Sequence, residues 1–314
     1  MTIPRILIVA GSDSGGGAGI QADIKTVTML GGHAMTAVTA ITAQNTLGVQ
    51  AVHPVPVDIV VAQMRSVIDD IGVDAVKIGM IGSAAIAHAV ADVLEGLTSP
   101  AAATPAQAGA QSGAAAASLG PLATGPRPAP GWFGEGGRAL VPIVFDPVMI
   151  ATGGAVLADD ATIAAFARLM KLATLVTPNL PELAALGGGA AVRAHGPALL
   201  VKGGHATGDT IEDRLVTDAG DTVWTHPRID TRHTHGTGCT LASGIAAGLG
   251  AGMPLGDACG RAIDYVQAAL AAAPGLGAGH GPMGHMLADI PFYHLLAAHD
   301  PDGWDAASFA ARWS

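Results

Sequence analysis

The sequence predicts an α/β protein with a mostly parallel central β-sheet flanked by helices on both faces. Short, continuous apolar segments such as residues 6–10 alternate with segments of helical periodicity, as expected when strands are buried on both faces. The composition points the same way, because 50% of the 314 residues are hydrophobic, only 4% are aromatic and 44 are glycine.

The predicted elements follow one another regularly along the chain. After the strand at residues 6–10, a glycine-rich loop at residues 11–19 leads into the first helix. The remaining predicted strands are residues 35–43, 73–81, 141–145, 172–177, 198–201, 211–216 and 222–225, the last two forming a hairpin. The remaining predicted helices are residues 58–71, 83–97, 160–170 and 181–186, with two more beginning at residues 240 and 255. Asp58 and Ser83 are predicted to cap their helices.

One segment departs from this alternation. Residues 98–138 are rich in Ala, Gly, Pro and Ser and nearly free of charge, which predicts a disordered insertion. Because the alternation resumes afterwards, we expect a single domain formed by residues 1–97 and 139–290. Residues 291–314 form a C-terminal extension whose role the sequence does not indicate.

Charge and metal-binding residues exclude several classes of protein. Fifteen basic against 25 acidic residues give a net charge of −10, which argues against a nucleic-acid or anionic-membrane partner. Cys239 and Cys259 are too few for a secreted disulfide framework, and His233 and His235 lack a further zinc ligand at the required spacing. Without a targeting segment or an apolar run of membrane-spanning length, we expect a soluble, cytoplasmic protein.

The most informative segment is Thr-His-Gly-Thr-Gly-Cys-Thr at residues 234–240, directly before the apolar helical residues 241–249. Unpaired N–H groups and the helix dipole at such a turn hold an anion, most often a phosphate. The same field is expected to lower the pKa of the Cys239 thiol. An anion site beside an activated thiol indicates phosphate chemistry.

Two loops near the N-terminus suggest a small-molecule pocket. The loop at residues 11–19 lacks both the dinucleotide-binding spacing and the ending of a Walker A loop, so it is either a flexible turn or a mobile loop over a pocket. Gln44 and Asn45 follow the predicted strand 35–43, at the edge where parallel sheets bind ligands. An amide that donates and accepts together matches an aminopyrimidine edge, although a polar loop start explains the same residues.

Polar residues also follow the later predicted strands. Asn179 and Glu182 are three positions apart at a helix start, which suits either a hydrated Mg²⁺ beside phosphates or a helix cap with its first-turn acid. Lys202 would neutralise a transferring phosphoryl group, and Asp146 lies at another strand end. Convergence of such groups on one sheet edge predicts an active site there.

The chain resembles the hydroxymethylpyrimidine/phosphomethylpyrimidine kinases of thiamine biosynthesis, in the ribokinase-like superfamily. The motifs that carry the resemblance are residues 10–23, 42–46, 77–80, 146–149, 177–182, 202–205, 234–240 and 279–282. The resemblance implies a ribokinase-like fold and ATP-dependent phosphorylation of 4-amino-5-hydroxymethyl-2-methylpyrimidine. A second transfer onto the monophosphate would give the diphosphate.

The resemblance also implies roles for individual residues. Cys239 would be the base that takes the hydroxyl proton. The anion hole would consist of the N–H groups of Gly236, Thr237, Gly238 and Cys239. The substrate side would consist of Gln44, which reads the aminopyrimidine, together with Gly11, Met80 and Asp23. The nucleotide and phosphate side would consist of Lys202, Asn179, Glu182, Asp146 and Thr177. Glu182 and Asp146 would hold Mg²⁺ directly or through water.

Two alternatives to this function stay open. Pyridoxal also presents a hydroxymethyl group on an aromatic ring, so a pyridoxal or pyridoxine kinase of the same superfamily is one. The other is a pyrimidine-sensing protein that kept the fold and lost its chemistry. The expected partners are the pyrimidine and ATP, with no nucleic acid or membrane. A homodimer is implied only by the resemblance, because family members are often dimers.

Overall fold

The computed structural model describes residues 3–98, 141–151 and 153–287. The strands in this part of the chain, β1 to β10, are Arg5–Ala10, His33–Val38, Ala40–Asn45, Gly48–Pro54, Ala75–Ile78, Ile143–Phe145, Leu175–Val176, Ala198–Val201, Thr210–Thr217 and Gly220–Pro227. The helices, α1 to α8, are Gly19–Met29, Val57–Asp70, Ala84–Thr98, Asp160–Leu172, Leu180–Ala185, Gly189–Arg193, Thr237–Gly250 and Leu255–Ala271. A 3₁₀ turn spans Gly203–His205.

Eight strands form the main sheet in the order β10-β9-β8-β7-β6-β5-β1-β2. Every pair from β8 to β2 is parallel, whereas β9 and β10 join through antiparallel pairing. The predicted hairpin at the end of the sheet is therefore confirmed. β5 and β6 pair directly although residues 99–140 separate them in the chain. The predicted, mostly parallel α/β fold is confirmed.

Helices cover both faces of this sheet, and β1 shows how. Leu7 and Val9 belong to the core cluster that includes α2, α3 and α4, whereas Ile6 and Ile8 belong to the one that includes α1, α7 and α8. Successive strand residues point to opposite faces, so a continuous apolar segment fills both layers. Each fully buried side chain of this size contributes about 1.5–3 kcal/mol from its removal from water.

The predicted strand 35–43 is wrong in one respect, because the chain leaves the main sheet at Thr39. The Thr39 N–H donates to Ala10 O at 3.0 Å and its hydroxyl donates to Met80 O at 2.6 Å, so the buried residue anchors a bend. β3 and β4 follow as a separate two-stranded antiparallel sheet. β4 was not predicted, since its residues are mostly exposed and lack a clear apolar face.

The two predicted helix caps have different outcomes. Ser83 Oγ accepts a hydrogen bond from the Ile86 N–H at 3.3 Å, as a capping residue should. The Asp58 prediction is wrong, because α2 begins one residue earlier, after Pro56, and Asp58 lies in its first turn. A proline ahead of the first helical residue already sets the entry direction.

The predicted insertion, residues 98–138, lies outside the described residues except for Thr98, which ends α3. The predicted extension, residues 291–314, lies outside them entirely. Within the described part, no helix combines the length and the apolar character needed to cross a membrane.

Candidate active site

Five neighbouring parallel strands end at one edge of the main sheet, and a predicted site residue follows each of them. In sheet order these residues are Lys202 after β8, Asn179 after β7, Asp146 after β6, Met80 after β5 and Gly11 after β1. They line a cavity of about 640 Å³, together with Gln44, Glu182 and residues 236–239. Of the predicted site residues, Asp23 and Thr177 alone are absent from its wall.

A lysine–carboxylate cluster lies on the cavity wall at the ends of β6, β7 and β8. Lys202 Nζ donates to Asp146 Oδ1 at 2.6 Å and lies 3.6 Å from Glu182 Oε2. Thr177 donates its hydroxyl to the same Asp146 oxygen at 3.1 Å. Thr177 is fully buried and does not line the cavity, so in the structure its hydroxyl orients Asp146.

Opposing effects set the charge of this cluster. Burial disfavours the charged form of Lys202, but Asp146 and Glu182 outweigh it and raise the pKa of Lys202. Burial raises the pKa of Glu182, against the attraction of Lys202. The cluster therefore keeps an ammonium group on the cavity wall, where an incoming phosphate would replace part of its carboxylate neighbourhood.

Both interpretations of Asn179 and Glu182 find support in their positions. Asn179 Oδ1 accepts from the Glu182 N–H at 2.9 Å, and Glu182 Oε2 accepts from the Asn179 N–H at 2.8 Å. This is a complete capping box at the start of α5. The same box aims the Glu182 carboxylate toward Lys202 and the cavity. Local helix capping thus positions a charged group in the site.

The glycine–cysteine turn forms the N-terminus of α7 and lines the same cavity. Gly236 is the residue before the helix, with φ of +88°, and a side chain there would collide with the carbonyl oxygen of Gly17. A Cβ at Gly238 would lie 3.2 Å from Lys202 Nζ and 3.4 Å from Asp146 Oδ2. The N–H groups of the first turn therefore lie beside the lysine–carboxylate cluster, as an anion site requires.

The expected lowering of the Cys239 pKa is wrong. Burial raises the pKa of the Cys239 thiol to about 11, and the carboxylates of Asp23 and Asp146 act in the same direction. The charge of Lys77 and a hydrogen bond from the Gly19 N–H favour the thiolate without overcoming these effects. The helix N-terminus alone would lower the Cys239 pKa, whereas acidic groups from other elements come close only in the folded chain and raise it.

Asp23, which the resemblance places on the substrate side, is not among the residues of the cavity wall. It is 0% exposed, and its two carboxylate oxygens accept from Lys77 Nζ at 2.9 and 2.8 Å. Ser243, one turn after Cys239 in α7, donates to Asp23 Oδ1 at 2.7 Å. The pair lies within electrostatic range of the Cys239 sulfur. The sequence assigns Lys77 no role of its own, because a lysine inside an apolar strand gives no sign of its partner.

The substrate side of the cavity differs from the prediction in its geometry. Gln44 lies in the antiparallel strand β3 and not at the end of a parallel strand, yet it lines the cavity. Its amide contacts His235, which in turn contacts Asp13. Neither Asp13 nor His235 was predicted as a functional residue, since 222 positions separate them and only folding brings them together.

Apolar side chains from β9, from α8 and from the loop after β10 also line the cavity. The apolar side chains here are Ile211, Ile229, Ile263, Val266 and Leu270. Arg228 holds the loop that follows Lys202 by donating to Gly204 O, Ala206 O and Gly208 O at 3.0, 2.6 and 2.8 Å. An apolar slot beside a charged cluster suits a flat base joined to phosphates.

Comparison with known proteins identifies the family. A family model described as phosphomethylpyrimidine kinase matches residues 13–115 and 137–284. The chain belongs to the phosphomethylpyrimidine kinase family. The matched residues include the glycine–cysteine turn, the lysine–carboxylate cluster and Gln44.

Individual proteins similar to this chain support the same family. A hydroxymethylpyrimidine/phosphomethylpyrimidine kinase of Streptomyces coelicolor is 43% identical, covering 91% of this chain and 95% of its own. A thiamine biosynthesis bifunctional protein, ThiED, of Geobacter sulfurreducens is 41% identical, covering 90% of this chain and 52% of its own. The pyridoxal kinase of Staphylococcus aureus, in complex with AMP-PCP and pyridoxal, has a TM-score of 0.71 at 26% identity, covering 92% and 95%.

These similarities confirm the family resemblance and the ribokinase-like fold that the motifs predicted. They also confirm that the chain is an enzyme of the phosphotransferase class. The roles of single residues rest on the geometry of the cavity.

Proposed function

We propose that this enzyme transfers phosphate from ATP to the hydroxymethyl group of 4-amino-5-hydroxymethyl-2-methylpyrimidine, and then a second phosphate onto the monophosphate, in thiamine biosynthesis. One observation carries the proposal: Gln44, Cys239 and the Lys202–Asp146 pair line the same cavity in a member of the phosphomethylpyrimidine kinase family.

In the first transfer, Cys239 takes the proton of the substrate hydroxyl. The hydroxyl oxygen forms a bond to the γ-phosphorus as the bond to the oxygen of the departing ADP breaks. The first N–H groups of α7, from Gly236 to Cys239, donate to the phosphoryl oxygens. Lys202, which lies beside this turn, neutralises the charge of the phosphoryl group. Positioning and charge neutralisation supply most of the rate in such reactions.

Thiolate is a minor form of Cys239 in the ligand-free protein, because burial raises its pKa to about 11. The few thiolates present are correspondingly strong bases. The Lys77 charge and the Gly19 N–H favour this form, so the reaction is expected to accelerate as the pH rises.

The residues of the cavity fit a magnesium ion. Mg²⁺ in kinases is held by one or two carboxylates together with phosphates and water, and it neutralises phosphate charge. Asp146 and Glu182 are two such carboxylates on the wall, whereas no group of three or more His, Cys, Asp or Glu capable of holding a metal occurs in the described residues. We assign Mg²⁺ to Asp146 and Glu182, directly or through water.

A pyridoxal kinase is the second candidate, favoured by the similarity to the Staphylococcus aureus enzyme. The purified protein, ATP and Mg²⁺ are incubated in parallel with the hydroxymethylpyrimidine, its monophosphate and pyridoxal, and ADP release is measured. We expect both pyrimidines to be phosphorylated faster than pyridoxal. Faster turnover of pyridoxal would favour the second candidate, and pyrimidine binding without ADP release would favour a sensor. The cytoplasmic location and the homodimer stay predictions.

A further inference from the structure

The substrate end of the cavity contains a chain of hydrogen-bonding groups that has no part in the phosphoryl transfer. The chain runs from Asp13, in the loop between β1 and α1, through His235 to Gln44 in β3. His235 Nε2 lies 2.9 Å from Asp13 Oδ2 and 3.1 Å from Gln44 Nε2. The same imidazole nitrogen therefore faces both groups, and its single hydrogen decides how they interact.

Asp13 is the acceptor of that hydrogen. Its carboxylate is 2% exposed and accepts from the N–H groups of Gly15, Gly17 and Ala18 at 2.8, 2.9 and 2.8 Å. Burial acts to raise the pKa of Asp13, but the hydrogen bonds from His235 and the loop outweigh it and lower that pKa. An ionised carboxylate has no hydrogen to donate, so the hydrogen lies on His235 Nε2.

Gln44 must then turn its amide oxygen toward His235. An imidazole N–H has no lone pair left, and an amide nitrogen opposite it would place one donor against another. Amide oxygen and nitrogen are assigned from their hydrogen bonds. With Oε1 toward His235, the single Nε2–H is shared between Asp13 Oδ2 and Gln44 Oε1, and no donor opposes another donor. His235 has little room to rotate away, since a Cβ on Gly17 would lie 2.6 Å from its Cδ2.

Thr42 completes the same arrangement from the other side of the amide. Its hydroxyl lies 3.3 Å from the second polar atom of Gln44 and 2.8 Å from Ser12 O. The hydroxyl hydrogen belongs to the shorter bond, which leaves oxygen lone pairs free to accept. With Oε1 toward His235, the amide nitrogen faces this acceptor, so every donor meets an acceptor.

We infer that the Asp13–His235 pair, together with Thr42, locks the Gln44 amide in one orientation and thereby selects the ring that the cavity accepts. The inference rests on the proposed function. The locked amide has one acceptor site and one N–H left, in a fixed order. A ring that carries an exocyclic amine beside a ring nitrogen offers the complementary donor and acceptor. A ring without the amine leaves the second acceptor site of Gln44 Oε1 without a donor, which is how polar sites reject close analogues.

The test uses two ligands that differ only in the amine. Calorimetry gives the Kd of 4-amino-5-hydroxymethyl-2-methylpyrimidine and of 5-hydroxymethyl-2-methylpyrimidine for the wild-type chain and for variants. We expect the wild type to bind the amino compound about tenfold more tightly or better, as one well-placed hydrogen bond allows. In His235→Ala this ratio should fall to within about twofold, through weaker binding of the amino compound.

Two further variants distinguish the proposed role of His235 from a general loss of structure in His235→Ala. Thr42→Val keeps the side-chain shape and should reduce the ratio by about threefold or more, even if His235→Ala folds poorly. His226→Ala breaks a similar histidine–aspartate pair, His226 with Asp213 at 3.1 Å, elsewhere on the cavity wall, and should leave the ratio unchanged.

The inference would be overturned if His235→Ala and Thr42→Val both kept the wild-type ratio of the two Kd values. It would also be overturned if these variants bound both ligands more weakly by the same factor. In either case a wild type that binds the amino compound and releases ADP leaves the proposed function intact. A wild type that binds neither pyrimidine contradicts the proposed function itself.

Discussion

Two lysine–aspartate pairs lie close to Cys239 and differ in one property, their access to the cavity. In the closed pair, Lys77 and Asp23 are both 0% exposed, and Lys77 Nζ contacts both carboxylate oxygens. In the open pair, the Lys202 side chain is 13% exposed, contacts one oxygen of Asp146 and faces Glu182 as well. Only the open pair lines the cavity.

The difference shows that burial, and not residue type, determines whether each lysine can contact a ligand. Lys202 can exchange a carboxylate contact for a phosphate oxygen, because ligand atoms reach it. Lys77 cannot, so its charge acts on Asp23 and, through space, on the Cys239 sulfur. A buried pair of this kind costs desolvation energy and holds only while both members are present.

Breaking the closed pair should have the largest effect on stability. Lys77→Met leaves the Asp23 carboxylate buried without its partner, so we expect the free energy of unfolding to fall by about 3–5 kcal/mol. Urea unfolding followed by circular dichroism measures this. The double variant Asp23→Asn with Lys77→Met should recover most of the loss. The exposed pair Arg214–Glu212 is the control, and Arg214→Met should leave the free energy of unfolding nearly unchanged. Equal losses in the two single variants would remove the distinction between closed and open pairs.

Breaking the open pair should act on turnover instead. Lys202→Met removes a charge that faces the phosphoryl group, so kcat should fall about 10²–10³-fold. Its stability should change less than that of Lys77→Met, since Asp146 and Glu182 line the cavity whereas Asp23 does not. Steady-state ADP release measures the rate, with the exposed Lys171→Met as a matched control. Turnover of Lys202→Met within a few-fold of the wild type would contradict the comparison.

Local patterns predicted much of this molecule. The strand–helix alternation predicted the main sheet, and strand ends predicted Gly11, Asp146, Asn179 and Lys202 on one edge. This works because parallel strands place their carboxyl ends together whatever their sequence. The Gly-Thr-Gly-Cys turn was also predicted as an anion site at a helix N-terminus. This works because the free N–H groups that bind the anion belong to the turn itself.

The errors concern properties that depend on distant neighbours. The Cys239 pKa is set by burial and by carboxylates from α1 and the end of β6. The resemblance implied a place for Asp23 beside the substrate, whereas its position in α1 directs its carboxylate to Lys77. The bend at Thr39 and the contact of His235 with Asp13 likewise exist only after folding.

Cys239, which both pairs influence, tests the account most directly. The central claim is that its thiolate takes the substrate proton. A raised thiol pKa means that the active form grows with pH, so kcat/KM of the wild type should rise roughly tenfold per unit between about pH 7 and pH 9. Cys239→Ala should lose about 10²–10⁴-fold in kcat, change KM little and lose this pH dependence. A Cys239→Ala enzyme with near wild-type kcat and an unchanged pH profile would contradict the claim.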